Sequence, residues 1–119
     1  MNNLRNSVKL IGRLGVDPEM REFKEGRKMA KFTIATNENY RNKSGEWVTN
    51  TTWHRVVAWG GSASLCEGRL LKGVEIALEG KLVNNDYTDK NGEKHYNTQV
   101  ELQSFVVLKD NKENQTPKN

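Results

Sequence analysis

Cys66 is the only cysteine among 119 residues, which excludes an intramolecular disulfide and any multi-cysteine metal site. The N-terminus, Met1-Asn2-Asn3-Leu4-Arg5, lacks the apolar run of a signal peptide. No later stretch approaches the ~20 apolar residues that a membrane span requires. These absences set the expectation of a soluble, cytoplasmic protein with no membrane partner. The two histidines, His54 and His95, stand far apart and form no HxxxH pair. There is no carboxylate cluster at ligand spacing and no Ser or Cys nucleophile in a recognisable setting, so neither a metal nor a catalytic residue is expected. Gly60-Gly61 lacks the Lys-Ser/Thr of a phosphate-binding loop, and no cofactor is expected. An enzyme is therefore not the expectation.

Charged residues make up 29% of the chain and mean hydropathy is −0.85, so a globular fold must come from well-patterned strands. The net charge of +4 is compatible with a polyanionic partner but carries little weight alone. Alternation with a period of two, the mark of a half-buried strand, dominates the chain. Val8, Leu10, Gly12 and Leu14 share one face of a first strand, which Gly15-Val16-Asp17-Pro18 interrupts. Ala30, Phe32 and Ile34 share a face of the second, and the third runs from about Thr51 to Trp59. The fourth points Val74, Ile76, Leu78, Gly80 and Leu82 inward. The fifth, His95 to Leu108, has Tyr96, Thr98, Val100 and Leu102 on one face.

A polar loop of roughly Asn37 to Asn50 separates strands two and three. Asp89-Lys90-Asn91-Gly92 makes a turn in which Gly92 can take positive φ. A short helix is expected over Ser62 to Leu71, capped by Ser62 or Ser64, with Leu65, Leu70 and Leu71 on its apolar face and Gly73 beyond its end. Gly68 inside it costs about 1 kcal/mol relative to alanine. Three strands, one helix and two strands describe an all-β, five-stranded OB-fold barrel, antiparallel, with the helix between strands three and four. Residues 1–108 are expected to form this domain, and 109–119 a short disordered polar tail.

Strand three is the informative one. In Trp53-His54-Arg55-Val56-Val57-Ala58-Trp59, alternation puts Trp53, Arg55, Val57 and Trp59 on one face and His54, Val56 and Ala58 on the other. Two readings compete. In one, both indoles are core residues and Arg55 snorkels past them, although a buried guanidinium is costly unless paired. In the other, the face lines a groove where indoles stack on nucleobases and Arg55 meets phosphate or stacks itself. Tyr40, beside Arg41 and Lys43, and Tyr87, after Asn84-Asn85-Asp86, lack apolar neighbours. Each is either an incidental surface tyrosine or a further stacking platform. Trp47 has three readings: a DNA contact, a hairpin-packing residue or a subunit contact. Binding a single strand without regard to sequence needs rings to stack on and cations along the backbone. Arg13, Arg41, Lys43, Arg55 and Lys72 are the basic candidates, and for any one of them an ordinary solvated charge is an equal reading. His54 reads as a hydrogen-bonded core or interface residue, and Cys66 as a small buried apolar one.

Several blocks occur together and in order: Gly12-Arg13-Leu14-Gly15-Val16-Asp17-Pro18-Glu19, Ala35-Thr36-Asn37-Glu38-Asn39-Tyr40-Arg41, Thr52-Trp53-His54-Arg55-Val56-Val57, Leu71-Lys72-Gly73, Leu78-Glu79-Gly80-Lys81-Leu82 and Tyr87-Thr88-Asp89. On these the chain resembles the bacterial-type single-stranded-DNA-binding proteins, a family of homotetrameric OB-folds, over about Asn3 to Leu108. The resemblance implies stacking platforms at Tyr40, Trp53, Trp59 and Tyr87, basic contacts from Arg55 and Lys72, and a place for His54 near the subunit contacts. It also implies a homotetramer, a dimer being the alternative, that coats single-stranded DNA during replication, recombination and repair. Tyr40 and Tyr87 stand where the family often has tryptophan, and Trp59 where it often has phenylalanine. Gly61 and Asp86 stand where lysine is frequent. Family members typically finish in an acidic tip that recruits replication and repair proteins. The stretch Asp110 to Asn119 carries no such tip, so recruitment by that route is not expected of this chain. An OB-fold module that bridges proteins is the second reading, and a hydrolase or transferase on the same scaffold the third.

Overall fold

The computed structural model describes residues 5–109. The elements run β1 (Val8–Leu14), β2 (Glu19–Glu22), β3 (Lys28–Arg41), β4 (Trp47–Trp59), α1 (Gly61–Cys66), β5 (Glu75–Asn84), β6 (Tyr87–Thr88), β7 (Lys94–His95) and β8 (Thr98–Lys109). The five long strands close a ring, β1–β5–β8–β4–β3 and back to β1, while β2 lies outside on β3. This is the OB-type barrel that the alternation implies, with α1 between the third and fourth long strands. One step of the ring departs from the antiparallel expectation. β4 and β8 run parallel where Val56 meets Val100 and Val57 meets Glu101. Two-residue β6 and β7 form a separate hairpin between β5 and β8.

The core comes from the inner faces of these strands. Leu14, Ala30, Phe32, Ile34, Val56, Ala58, Val74, Ile76 and Leu78 are all buried, on the faces that alternation assigns them. Three expectations fail for identifiable reasons. The polar loop is instead a paired ribbon: β3 and β4 stay in register out to Arg41↔Trp47. Cross-strand bonds of 2.8 Å (Thr49 to Asn39) and 2.7 Å (Thr51 to Asn37) support that ladder without an apolar face. Only the turn between Asn42 and Glu46 reverses the chain, and the Asn42 side chain caps it by accepting the amides of Ser44 and Glu46.

The helix is shorter than expected. It starts from Gly60 with no side-chain cap and stops at Cys66, because Glu67 turns extended and Gly68 takes φ 80°. Ala63 and Cys66 are its buried residues, and of the three leucines only Leu70, past its end, is buried. Burial pushes the Cys66 thiol up to about 11, against a smaller opposing effect of Arg69.

In β8 the inward face changes parity. The pairing shifts between Glu79↔Ser104 and Gly80↔Leu102, so Gln103 is an extra residue. Val100 and Leu102 point inward before this bulge and Phe105 and Val107 pack on the core after it. Tyr96, expected on the inner face, lies before the strand begins and is 78% exposed. Leu82, also expected inside, sits at the rim beside Trp53, 49% exposed. Lys109, assigned to the tail, pairs with Glu75, and the rest of that tail lies outside the described residues.

The barrel needs a bare backbone at two points, Gly12 on β1 and Gly80 on β5. A Cβ on Gly80 would meet the Glu101 carbonyl oxygen. A Cβ on Gly12 would run into the carbonyl oxygen of Ala35, where β1 crosses β3. Gly12→Ala should therefore destabilise the fold by on the order of 1–3 kcal/mol, read as a lower urea midpoint. Gly61→Ala, where nothing lies within 4 Å, should leave the midpoint unchanged or raise stability by up to about 1 kcal/mol.

Candidate nucleic-acid interface

The register of β4 on β3 sets Trp53 opposite Ala35, Arg55 opposite Thr33, Val57 opposite Lys31 and Trp59 opposite Met29. Opposed residues share a face, so these two rows lie together on the outside of the barrel. Three clefts run along them. One is lined by Lys31, Thr33, Arg55, Asn97 and Gln99, the next by Trp53, Arg55, Leu82 and Thr98, and the third by Arg21, Phe23, Lys31, Trp59 and Asn84. Shared walls at Arg55 and Lys31 join them into one open groove. Trp53 is 60% exposed and Arg55 is exposed too, so neither belongs to the core. Val57 is buried in the groove floor.

Each member of the row is held by a different device. The Trp53 indole lies across Gly15, where a Cβ would come within 2.5 Å of the ring. Arg55 Nη1 donates to Asn97 Oδ1 at 2.6 Å, and the Asn97 amide donates to Asp86 Oδ1 at 3.2 Å. Asn97 thus ties the arginine to the base of the β6–β7 hairpin. Trp59 is half-buried. It stacks on Phe23 at 6.1 Å between centroids, and the Arg27 guanidinium lies 4.4 Å from the Trp59 ring centre. Phe23 and Arg27 flank a tight turn in which Phe23 and Arg27 are backbone-bonded. Sequence reasoning missed both, along with Lys31 and Asn97. Alternation could have found Lys31, which shares a face with Thr33 and Ala35. The Phe23 contact depends on how that turn folds back over β4.

The other candidates are scattered. Tyr40 pairs with Val48 and so faces the opposite side of the ribbon from Trp53, together with Thr36 and His54. Trp47 is on the Trp53 side, 69% exposed, with the Arg41 guanidinium 5.2 Å from its ring centre. It is not packed inside the hairpin. Lys43 is in the ribbon turn and exposed. Arg13 donates to the Gly73 carbonyl at 3.0 Å, and the Lys72 amide donates to Asp17 Oδ1 at 2.8 Å. Both therefore sit at the entry to β5, outside the three clefts. Tyr87 is on β6, opposite His95. His54 is half-buried, its Nε2 3.0 Å from Thr36 Oγ1; alternation puts it on the opposite face of β4 from Trp53, yet it also lines the second cleft.

Asp89, Glu93 and His95 bring potential ligand atoms within 4.8 Å of one another. Asp89 already spends Oδ1 on the amides of Asn91 and Glu93 and Oδ2 on His95, so this set reads as a hydrogen-bonded turn.

The model of the single-strand binding protein family matches residues 5–108. The chain belongs to this family. A curated relative, single-stranded DNA-binding protein 1 of Chlorobaculum tepidum, is 44% identical over 104 residues, covering 87% of this chain and 64% of its own length. The chain thus spans less than two thirds of that relative. Among solved structures, a Plasmodium falciparum SSB in complex with ssDNA superposes with a TM-score of 0.79 at 30% identity, over 91% of this chain and 99% of that one. A deletion mutant of the single-stranded DNA-binding protein from Thermus aquaticus gives 0.76 at 30% identity, over 89% and 51%.

The contact of Trp53 with Gly15 can be tested directly. With Trp47 and Trp59 replaced by phenylalanine, Trp53 is the one indole left of three. Gly15→Ala in that background should increase acrylamide quenching of its fluorescence. The cost in stability should be no more than about 1 kcal/mol, since a rim side chain can swing outward. Unchanged quenching would show that the ring does not rest on Gly15.

Proposed function

We propose that this chain binds and protects single-stranded DNA without regard to sequence during replication, recombination and repair, as a non-catalytic cytoplasmic protein. One observation carries the reading: Trp53, Arg55 and Trp59 stand in a row along an open groove on the outer face of the barrel. Every base has a π-face, so stacking on Trp53 and Trp59 needs no code of donors and acceptors. The cations of the groove, Arg21, Lys31 and Arg55, supply a track for the backbone. Tyr87 extends the stacking path over the hairpin that Asn97 ties to Arg55. Tyr40, on the reverse of the ribbon, takes part if the strand passes around the ribbon, with Arg41 and Lys43 at its end and Arg13 and Lys72 at the entry to β5. The active form is a homotetramer, with His54 at a subunit contact. Support for that assembly comes from the family and from the half-buried face that His54 and Thr36 share.

Titration with poly-dT should quench tryptophan fluorescence, and the log–log salt slope should be about −0.7 per phosphate neutralised. Trp53→Ala and Trp59→Ala should each weaken binding by on the order of 1–3 kcal/mol. Trp59→Ala should fall at the low end, because Phe23 stays in the groove wall. Light scattering on the same samples counts subunits. A preference for duplex over poly-dT would refute the reading. Micromolar binding by a stable dimer would point instead to a protein-bridging module.

A further inference from the structure

The β6–β7 hairpin holds its histidine in an arrangement the groove has not yet used. Tyr87 and His95 are register partners, and their rings stack 4.8 Å apart with 14° between planes. His95 Nε2 meets Asp89 Oδ2 at 2.8 Å, so one ring nitrogen is tied to a carboxylate while the flat of the ring backs the tyrosine. Asp89 is itself fixed, its Oδ1 accepting the amides of Asn91 and Glu93, both at 2.9 Å. The bond with His95, then the amide of Glu93, hold the Asp89 carboxyl below the usual carboxylate range. Tyr87 is 55% exposed, which leaves one face of its ring open while the imidazole covers the other.

We propose that His95 is a positioning residue for the Tyr87 platform and a proton-dependent cation beside it, so that single-stranded DNA is held more tightly at acidic than at neutral pH. This rests on the single-strand-binding reading above and adds a residue and a dependence to it. A base on the open face of Tyr87 becomes the third layer of an imidazole–phenol–base stack. A protonated imidazole under the phenol adds a cation–π attraction that steadies the platform with or without DNA. It also adds a positive charge close to the DNA backbone, on a hairpin whose base carries the acidic Asp86. The groups facing His95 are Asp89 and Glu93 from the turn and Tyr87 from β6. Lys94 alternates to the other side of the hairpin. Asp89, held below the usual carboxylate range, sets a negative charge against the ring. Bound phosphate favours the protonated ring, so the complex binds more protons than the free protein. Affinity therefore rises as pH falls.

The test is oligothymidylate affinity at fixed salt between about pH 7.5 and about pH 5.5, where carboxylates and tyrosines do not titrate. The intact chain should bind about two- to fivefold more tightly at the acidic end. His95→Gln can still donate to Asp89 and should flatten that dependence. His95→Arg should also be flat, near the affinity the native chain reaches at acidic pH. Matching urea midpoints separate these effects from loss of the fold. His54, the one other histidine, remains in both variants, so any slope left in them belongs elsewhere. A His95→Gln slope equal to the native one overturns this inference and leaves DNA binding standing. No binding by the native chain at either pH overturns both.

Discussion

The ladder between β3 and β4, continuous from Met29↔Trp59 to Arg41↔Trp47, constrains everything else in this molecule. Its register decides which alternate residues of β4 enter the barrel. Val56 and Ala58 go in, and Trp53, Arg55 and Trp59 stay out. A slip of one residue would invert the set, pushing two indoles and a guanidinium into the core and exposing the small apolar residues. The inward faces of both strands are filled by Ala30, Phe32, Ile34, Val56 and Ala58, all nearly inaccessible, which makes that inversion prohibitive. The groove is therefore a by-product of core packing: its row of side chains faces outward because their neighbours face inward.

The same ladder explains how the site extends beyond the barrel. β3 and β4 continue past the core as a polar ribbon bonded through Asn37, Asn39, Thr49 and Thr51. That ribbon carries Trp47 on the groove side and Tyr40 on the reverse. At the other end, the β2–β3 turn folds Phe23 and Arg27 onto Trp59. A third extension comes from β6–β7, joined to Arg55 through Asn97 and Asp86. The barrel thus supplies a rigid floor, and three hairpin-like extensions supply walls. Sites are commonly divided between scaffold and loops in this way.

Most of the barrel was legible from alternation, because a strand with one buried face must show a period of two. Leu14, Ile34, Ile76 and Leu78 fall where that period puts them. The helix was misjudged by its length, since leucines after Cys66 imitate a helical face although Gly68 has already ended the helix. In β8 the period failed at the start, where Tyr96 precedes the strand and Thr98 is exposed while Gln99 is buried; past Leu102 a bulge at Gln103 changes parity, and no local residue type announces it. The polar ribbon looked like a loop because hydrophobicity was the cue, and its strands are paired through hydrogen bonds instead.

By itself, the sequence determined which residues share a face of each strand, and so that Trp53, Arg55 and Trp59 lie together; that their face is the outer one was settled by the barrel. Side-chain alternation is a local property of an extended backbone, so it can be read without knowing what packs against it. Tertiary structure alone decided the neighbours of that row. Gly15 lies beneath Trp53, Phe23 and Arg27 cover Trp59, and Asn97 holds Arg55. It also put Tyr40 on the reverse of the ribbon and His95 behind Tyr87. These contacts join residues distant in sequence or depend on exact register, and only the closed, twisted barrel brings them together.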